Sequence, residues 1–152
     1  MAHGTATGSF KWGGKTFAFK DAPAYAEKNW GGAFPSKWHW VQCNSFDGEP
    51  GMSVTAVGAR RGLLGLPGIE EDVGMIGLHY RRRFIELVPW NGSVEWDVDP
   101  WGRWLLRARN PQYEALLEAT CSPSAGTPLR APTAAQGLAP FCKDTFAGAA
   151  RT

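Results

Sequence analysis

Residues 37–46 read Lys37-Trp38-His39-Trp40-Val41-Gln42-Cys43-Asn44-Ser45-Phe46. Successive side chains on an extended chain point to opposite faces, so this run sorts into two sets. Trp38, Trp40, Gln42, Asn44 and Phe46 fall on one face, and His39, Val41 and Cys43 on the other. Aromatic and β-branched residues suit a strand, and Asp47-Gly48 supplies the turn that ends it. The first face is unusual, with two indoles beside two amides. A core would carry Val, Ile or Leu there, because a buried amide without a partner costs about 1–3 kcal/mol. The mixture suits the wall of a cavity that holds a mostly apolar ligand with a polar head. The competing reading is a packed core whose amides bond to neighbouring backbone.

Working outward, the same period and dense turn signals recur. Upstream, residues 10–12 and 16–19 flank Gly13-Gly14, a two-residue hairpin signal. Residues 21–35 read as a connection rich in Ala, Gly and Pro. Downstream, 52–59 reads as a strand and 60–72 as a loop, apolar at Leu63, Leu64, Leu66 and Ile69. Strands at 73–80 and 84–90 follow, parted by the basic tip Arg81-Arg82-Arg83. Asn91-Gly92 predicts a type I′ hairpin joining 84–90 to 93–98. Residues 101–109 and 113–121 are two more strands. The second has helix-forming residues, but the turn at Asn110-Pro111 and its β neighbours decide for strand. Residues 122–133 read as a loop, and 138–146 as a return to the sheet. Nine or ten strands in up-and-down order predict a single all-β domain over 1–152, a barrel or a sandwich.

Composition agrees. The 152 residues are 43% apolar and 20% charged, enough for one real core. Eight Trp, 19 Gly and 11 Pro fit many turns around an aromatic-lined interior. A net charge of +2, with no basic stripe interleaved with rings, argues against nucleic acid as a partner. No apolar run reaches the 18 or so residues of a membrane-spanning helix, and the first 20 residues lack a secretory signal's apolar core. Cys43, Cys121 and Cys142 are not spaced as a zinc site and cannot all pair, so three reduced thiols are expected. Phosphate-loop, dinucleotide, zinc-protease and serine-hydrolase motifs are absent from the sequence.

Four features could carry chemistry. Glu27-Lys28-Asn29-Trp30 sets a carboxyl group beside an indole, where apolar neighbours raise a carboxyl pKa and keep a proton to donate. Glu70-Glu71-Asp72 reads as a solvated acidic face. The basic groups Arg60-Arg61 and Arg81-Arg82-Arg83 lie at loop tips, where solvated charge competes with contact to anionic headgroups. His39 and His79 are isolated and read as structural.

Several longer strings resemble the tocopherol cyclase family. They are 21–32 (DAPAYAEKNWGG), 34–44 (FPSKWHWVQCN), 88–92 (VPWNG), 100–102 (PWG) and 126–133 (GTPLRAPT). The resemblance runs from about Phe10 to Phe146 and corresponds to the C-terminal half of the family's chain, the N-terminal half being absent. It implies a lipocalin-like antiparallel barrel or strongly bent meander. It also implies closure of a prenylated, phytyl-bearing benzoquinol to a chromanol, without a redox cofactor or metal. The cationic transition state favours aromatic faces in a dry pocket. On that reading Glu27 is the proton donor, with Asp72 in reserve. Trp30, Trp38, Trp40 and Trp90 line the substrate, and Gln42 and Asn44 bind its ring hydroxyls. The implied setting is a plastid thylakoid or plastoglobule, or a cyanobacterial membrane. Expected partners are a prenylated quinol or lipid, a peripheral membrane contact, and a second protein, either another copy or a plastid membrane complex. The alternative is a non-catalytic subunit or prenylquinone-binding module. The sequence departs from the family at His39, an aromatic hydrocarbon position, at the 45–52 turn and at the Arg81-Arg82-Arg83 tip.

Overall fold

The computed structural model describes residues 3–28, 34–63, 66–98 and 100–152. Gly13 and Gly14 both adopt positive φ (54° and 76°), which a type I′ turn demands, and they join β1 (Gly4–Trp12) to β2 (Lys15–Ala24). A four-stranded antiparallel meander follows: β3 (Lys37–Cys43), β4 (Ser53–Gly62), β5 (Glu70–Tyr80) and β6 (Arg83–Leu87). A second is built from β7 (Ser93–Val98), β8 (Arg103–Arg109) and β9 (Glu114–Cys121). The last strand, β12 (Gly148–Arg151), pairs with β9. Between them β10 (Thr127–Thr133) and β11 (Gly137–Asp144) form a hairpin of their own. The described residues thus hold twelve strands rather than nine or ten, and no helix. The four sheets remain separate and none closes on itself, so the all-β expectation holds and a closed barrel is not found.

Four local expectations are corrected. Asn91-Gly92 makes no hairpin: β6 pairs with β5, and β7 with β8, so the chain changes sheet there. Asn91 has negative φ and works through its side chain. Its Oδ1 accepts from Val88 N (3.1 Å) and its Nδ2 donates to Glu86 O (2.9 Å). Gly92 is needed for room, since a Cβ there would stand 1.9 Å from the Arg109 carbonyl oxygen. Residues 60–62 and 70–72 are strand rather than loop. Arg60 faces Asp72 and Arg61 faces Glu71 in register, and each pair is bridged by an ion pair of 2.8–2.9 Å. Opposite charges directly across two strands stabilise the pairing, so the hairpin runs on to Gly62 and Glu70. Residues 127–133 are also strand. Pro128 and Pro132 are tolerated because that sheet has only two strands, each with a free edge. Finally, β2 absorbs residues 21–24 of the expected connection.

The core lies between the two four-stranded sheets. Val54, Ala56, Ile76 and Leu87 from one meet Leu106, Ala108 and Leu117 from the other. Burying each of Ile76, Leu87, Leu106 and Leu117 contributes about 1.5–3 kcal/mol. Trp96 on β7 reaches across, and its Nε1 donates to Val73 O (3.1 Å). Its indole meets the His39 ring edge-on, with centroids 5.0 Å apart. Gly58 makes the recess for both: a Cβ there would stand 2.1 Å from His39 Cε1 and 2.7 Å from Trp96 Cδ1.

Candidate functional site

The register of β3 on β4 settles which face each residue takes. Val41 lies opposite Ala56 and His39 opposite Gly58, on the core side. Trp38, Trp40 and Gln42 lie opposite Ala59, Val57 and Thr55, on the reverse side. Trp38, Trp40 and Gln42 therefore do share one surface, Asn44 lying beyond the paired strand, but that surface is the back of the sheet and not the interior between sheets. Trp38, Trp40 and Gln42 are half-buried there. Phe34 stacks on Trp38 with centroids 4.7 Å apart and planes 18° from parallel. Phe34 N donates to Pro132 O (3.1 Å), tying this segment to the β10–β11 hairpin.

Two residues missed in the sequence belong to this face. Thr55 is the cross-strand partner of Gln42, and Ser53 lies two positions along the same strand. Ser53 is fully buried and Thr55 is 7% exposed. The Trp40 Nε1, Ser53 Oγ and Thr55 Oγ1 atoms are all buried without a hydrogen-bond partner among the described residues. Buried polar groups in folded proteins are almost always paired, so these three atoms leave hydrogen-bonding capacity unmet on this side of β3–β4, as the two His39 ring nitrogens do on the core side. Period-2 alternation in 52–59, folded back on 37–46 by the Asp47-Gly48 turn, was the signal that could have found them.

The remaining described candidates lie on different elements. Asn44 follows the end of β3 and is half-buried. Trp90 is 78% exposed at the β6–β7 turn, and Trp30 lies outside the described residues. Glu27 is exposed on the segment after β2, where the Tyr25 hydroxyl donates to its Oε2. Asp72 takes two bonds from Arg60, Nε to Oδ1 (2.8 Å) and Nη2 to Oδ2 (2.9 Å). Those bonds, with the charge behind them, hold its carboxyl below the usual range and favour the carboxylate. On the core side, burial and the nearby Lys37 ammonium push the His39 pKa down to about 4. Its imidazole is neutral at physiological pH, and both ring nitrogens lack partners. Two open clefts are lined by other residues. One of about 510 Å³ lies among Tyr80, Arg81, Arg83, Ile85 and Tyr113. Another of about 460 Å³ runs between Cys43–Met52 and the C-terminal strand. No group of three or more His, Cys, Asp or Glu among the described residues is placed to hold a metal ion.

Comparison with known proteins decides the family. The model of the family described as tocopherol cyclase-like matches residues 1–152. The chain belongs to that family. A probable tocopherol cyclase, chloroplastic, of Oryza sativa subsp. japonica is 49% identical to this tocopherol cyclase-like chain over 149 residues. A tocopherol cyclase, chloroplastic, of Zea mays is likewise 49% identical. Each alignment covers 97% of this chain and 31% of the relative, so the chain spans about a third of their length rather than the half expected. No solved structure matches it.

Proposed function

We propose that this tocopherol cyclase-like chain contributes the aromatic wall at which a prenylated benzoquinol closes to a chromanol. The observation that carries the reading is the reverse face of β3–β4, where stacked Phe34 and Trp38 adjoin a set of unpartnered polar atoms. A prenylquinol has matching chemistry, with an apolar tail carrying a trisubstituted double bond and a ring carrying hydroxyls. The Trp40 indole N–H and the Ser53 and Thr55 hydroxyls, with Gln42 and Asn44, bind the ring hydroxyls. Trp38 and Trp40 face the tail.

Glu27 donates a proton to the double bond, leaving a tertiary cation. Aromatic faces stabilise that cation by up to about 2 kcal/mol each when water is excluded. The phenol oxygen adds to the cationic carbon, and its proton returns through solvent or a carboxylate to restore the acid. Substrate and product are isomers, so no electrons are exchanged. The Tyr25 hydroxyl fixes the Glu27 carboxyl. Asp72 is the second choice of donor, available only once Arg60 releases it. In the longer chain typical of the family, the reverse face becomes the inner wall of a lipocalin-like barrel, which excludes water from the cation. The setting is a plastid, in keeping with the chloroplastic rice and maize relatives, at a thylakoid or plastoglobule surface.

The test is chromanol formation from a phytyl-bearing methylated benzoquinol, separated chromatographically, by this chain and by its Glu27→Gln variant. Product from the first and none from the second supports the reading. Full turnover by the variant removes Glu27 as the acid. Quinol binding with no turnover by a folded chain would make the domain a prenylquinone-binding module instead.

A further inference from the structure

The β1–β2 hairpin carries an aromatic strip that is exposed among the described residues. Its register places Phe10 opposite Phe17, Gly8 opposite Phe19 and Trp12 opposite Lys15, all on one face. The Phe10 and Phe17 rings stack with centroids 5.1 Å apart, Phe19 lies 6.4 Å from Phe10, and its ring closes over Gly8. Phe10 is 55% exposed and Trp12, beside the Gly13-Gly14 tip, is 77% exposed. Phe17 and Phe19 are exposed as well. The other face carries Ser9, Lys11, Thr16 and Ala18. Lys15 apart, this two-stranded sheet gathers its rings on one side and Ser9, Lys11 and Thr16 on the other, which makes it amphipathic. Contiguous apolar surface of this kind marks an interaction site.

We infer that this hairpin is a membrane-interface anchor, laying its aromatic face into the headgroup region of an anionic bilayer. Charge complementarity favours lipid over protein. The hairpin carries three lysines, Lys15 on the ring face, Lys11 on the other and Lys20 next to Phe19 in sequence, against a single carboxylate, Asp21, whose Oδ1 already accepts a hydrogen bond from Thr7 Oγ1 (3.4 Å). Trp at the tip and lysines around it match the amphipathic groups that settle at the boundary between headgroups and acyl chains. The inference also adds a membrane contact to the one expected at the basic tips. Arg60 and Arg61 are held in cross-strand ion pairs, so that end of β4–β5 is less available to headgroups than the hairpin lysines, whereas at the other tip Arg81 lies over the Tyr80 ring and Arg82 and Arg83 are exposed. It deepens the proposed function, since a prenylated quinol is a membrane-resident substrate, but it can fail independently.

Flotation of the 152-residue chain with vesicles tests it without any quinol. The chain is expected to float with phosphatidylcholine vesicles containing phosphatidylglycerol, to bind pure phosphatidylcholine more weakly, and to dissociate as salt rises. Trp12→Ala together with Phe10→Ala should lower the partition coefficient at least about tenfold. Lys11→Gln with Lys15→Gln should lower it about fivefold per charge on anionic vesicles only. Both pairs are exposed, so circular dichroism should stay unchanged. Equal flotation of the ring variant, or none by the native chain, overturns the inference. So does a native dimer that the ring variant turns into a monomer, because a second copy would then own the face. Quinol turnover is read separately, and its loss or survival leaves the flotation result standing.

Discussion

Phe34 lies flat on Trp38, 4.7 Å between ring centroids, and the same Phe34 is tied through its backbone N–H to Pro132. The stack couples the start of β3 to the β10–β11 hairpin and props up one end of the indole face. Such a pair contributes about 0.5–1.5 kcal/mol beyond its buried area. Trp38→Ala should therefore cost about 1–2 kcal/mol in urea unfolding while the chain stays folded. Prenylquinol binding should weaken more than about tenfold, a larger effect than the stability loss explains. Unchanged quinol affinity would separate Trp38 from the site.

His39 predicts the pH dependence of stability. Its pKa is about 4 folded against 6.5 in the open chain, because burial and Lys37 disfavour the imidazolium. The unfolded chain thus binds the extra proton between those values, and stability falls as pH drops from about 6.5 to 4. Two to three pH units correspond to a loss of up to about 3 kcal/mol, complete near pH 4. Denaturant titrations across that window should show the slope, and His39→Phe should abolish it. Removing two unpartnered nitrogens should also raise stability at pH 7 by about 1 kcal/mol.

The ion pair of Arg60 with Asp72 predicts little by contrast. Both groups are exposed, and screening by solvent and salt limits such pairs. Asp72→Asn should shift the melting temperature only slightly, less than replacing Asn91 does, and moderate salt should erase the difference. Its carboxyl is held below the usual range, so any contribution is present at neutral pH and is lost only as pH falls below about 3.8. A double-mutant cycle with Arg60→Gln measures the coupling.

Asn91 closes the turn between the sheets with both ends of its amide, beside the buried Val88. Asn91→Ala leaves the Val88 N–H without that partner and should cost about 1–3 kcal/mol in thermal or denaturant unfolding. Asn91→Asp keeps the acceptor and should cost less.

These residues also show what a sequence can disclose. The Gly13-Gly14 hairpin was legible because a tight turn is a local demand on two φ angles. The shared face of Trp38, Trp40 and Gln42 was legible because strand alternation is local too. Which sheet face meets the core was not, since that depends on Trp96 arriving from β7 into the gap at Gly58. Asn91-Gly92 misled for a related reason: a turn signal fixes chain direction, not the strand that will pair. The 60–72 segment looked like a loop until the register set Arg60 and Arg61 against Asp72 and Glu71. Of the candidate site, the Trp38–Gln42 wall was readable. Ser53 and Thr55 came into view only once β4 was laid beside β3.

The central claim is that a prenylated quinol lies on the reverse face of β3–β4. Photolabelling with a prenylquinone bearing a photoreactive group on its ring, followed by peptide mass spectrometry, addresses it most directly. The account predicts saturable labelling within residues 34–46 and 53–57, competed away by unlabelled quinol. Labelling concentrated around Tyr80, Ile85 and Tyr113, or none that saturates, would contradict it.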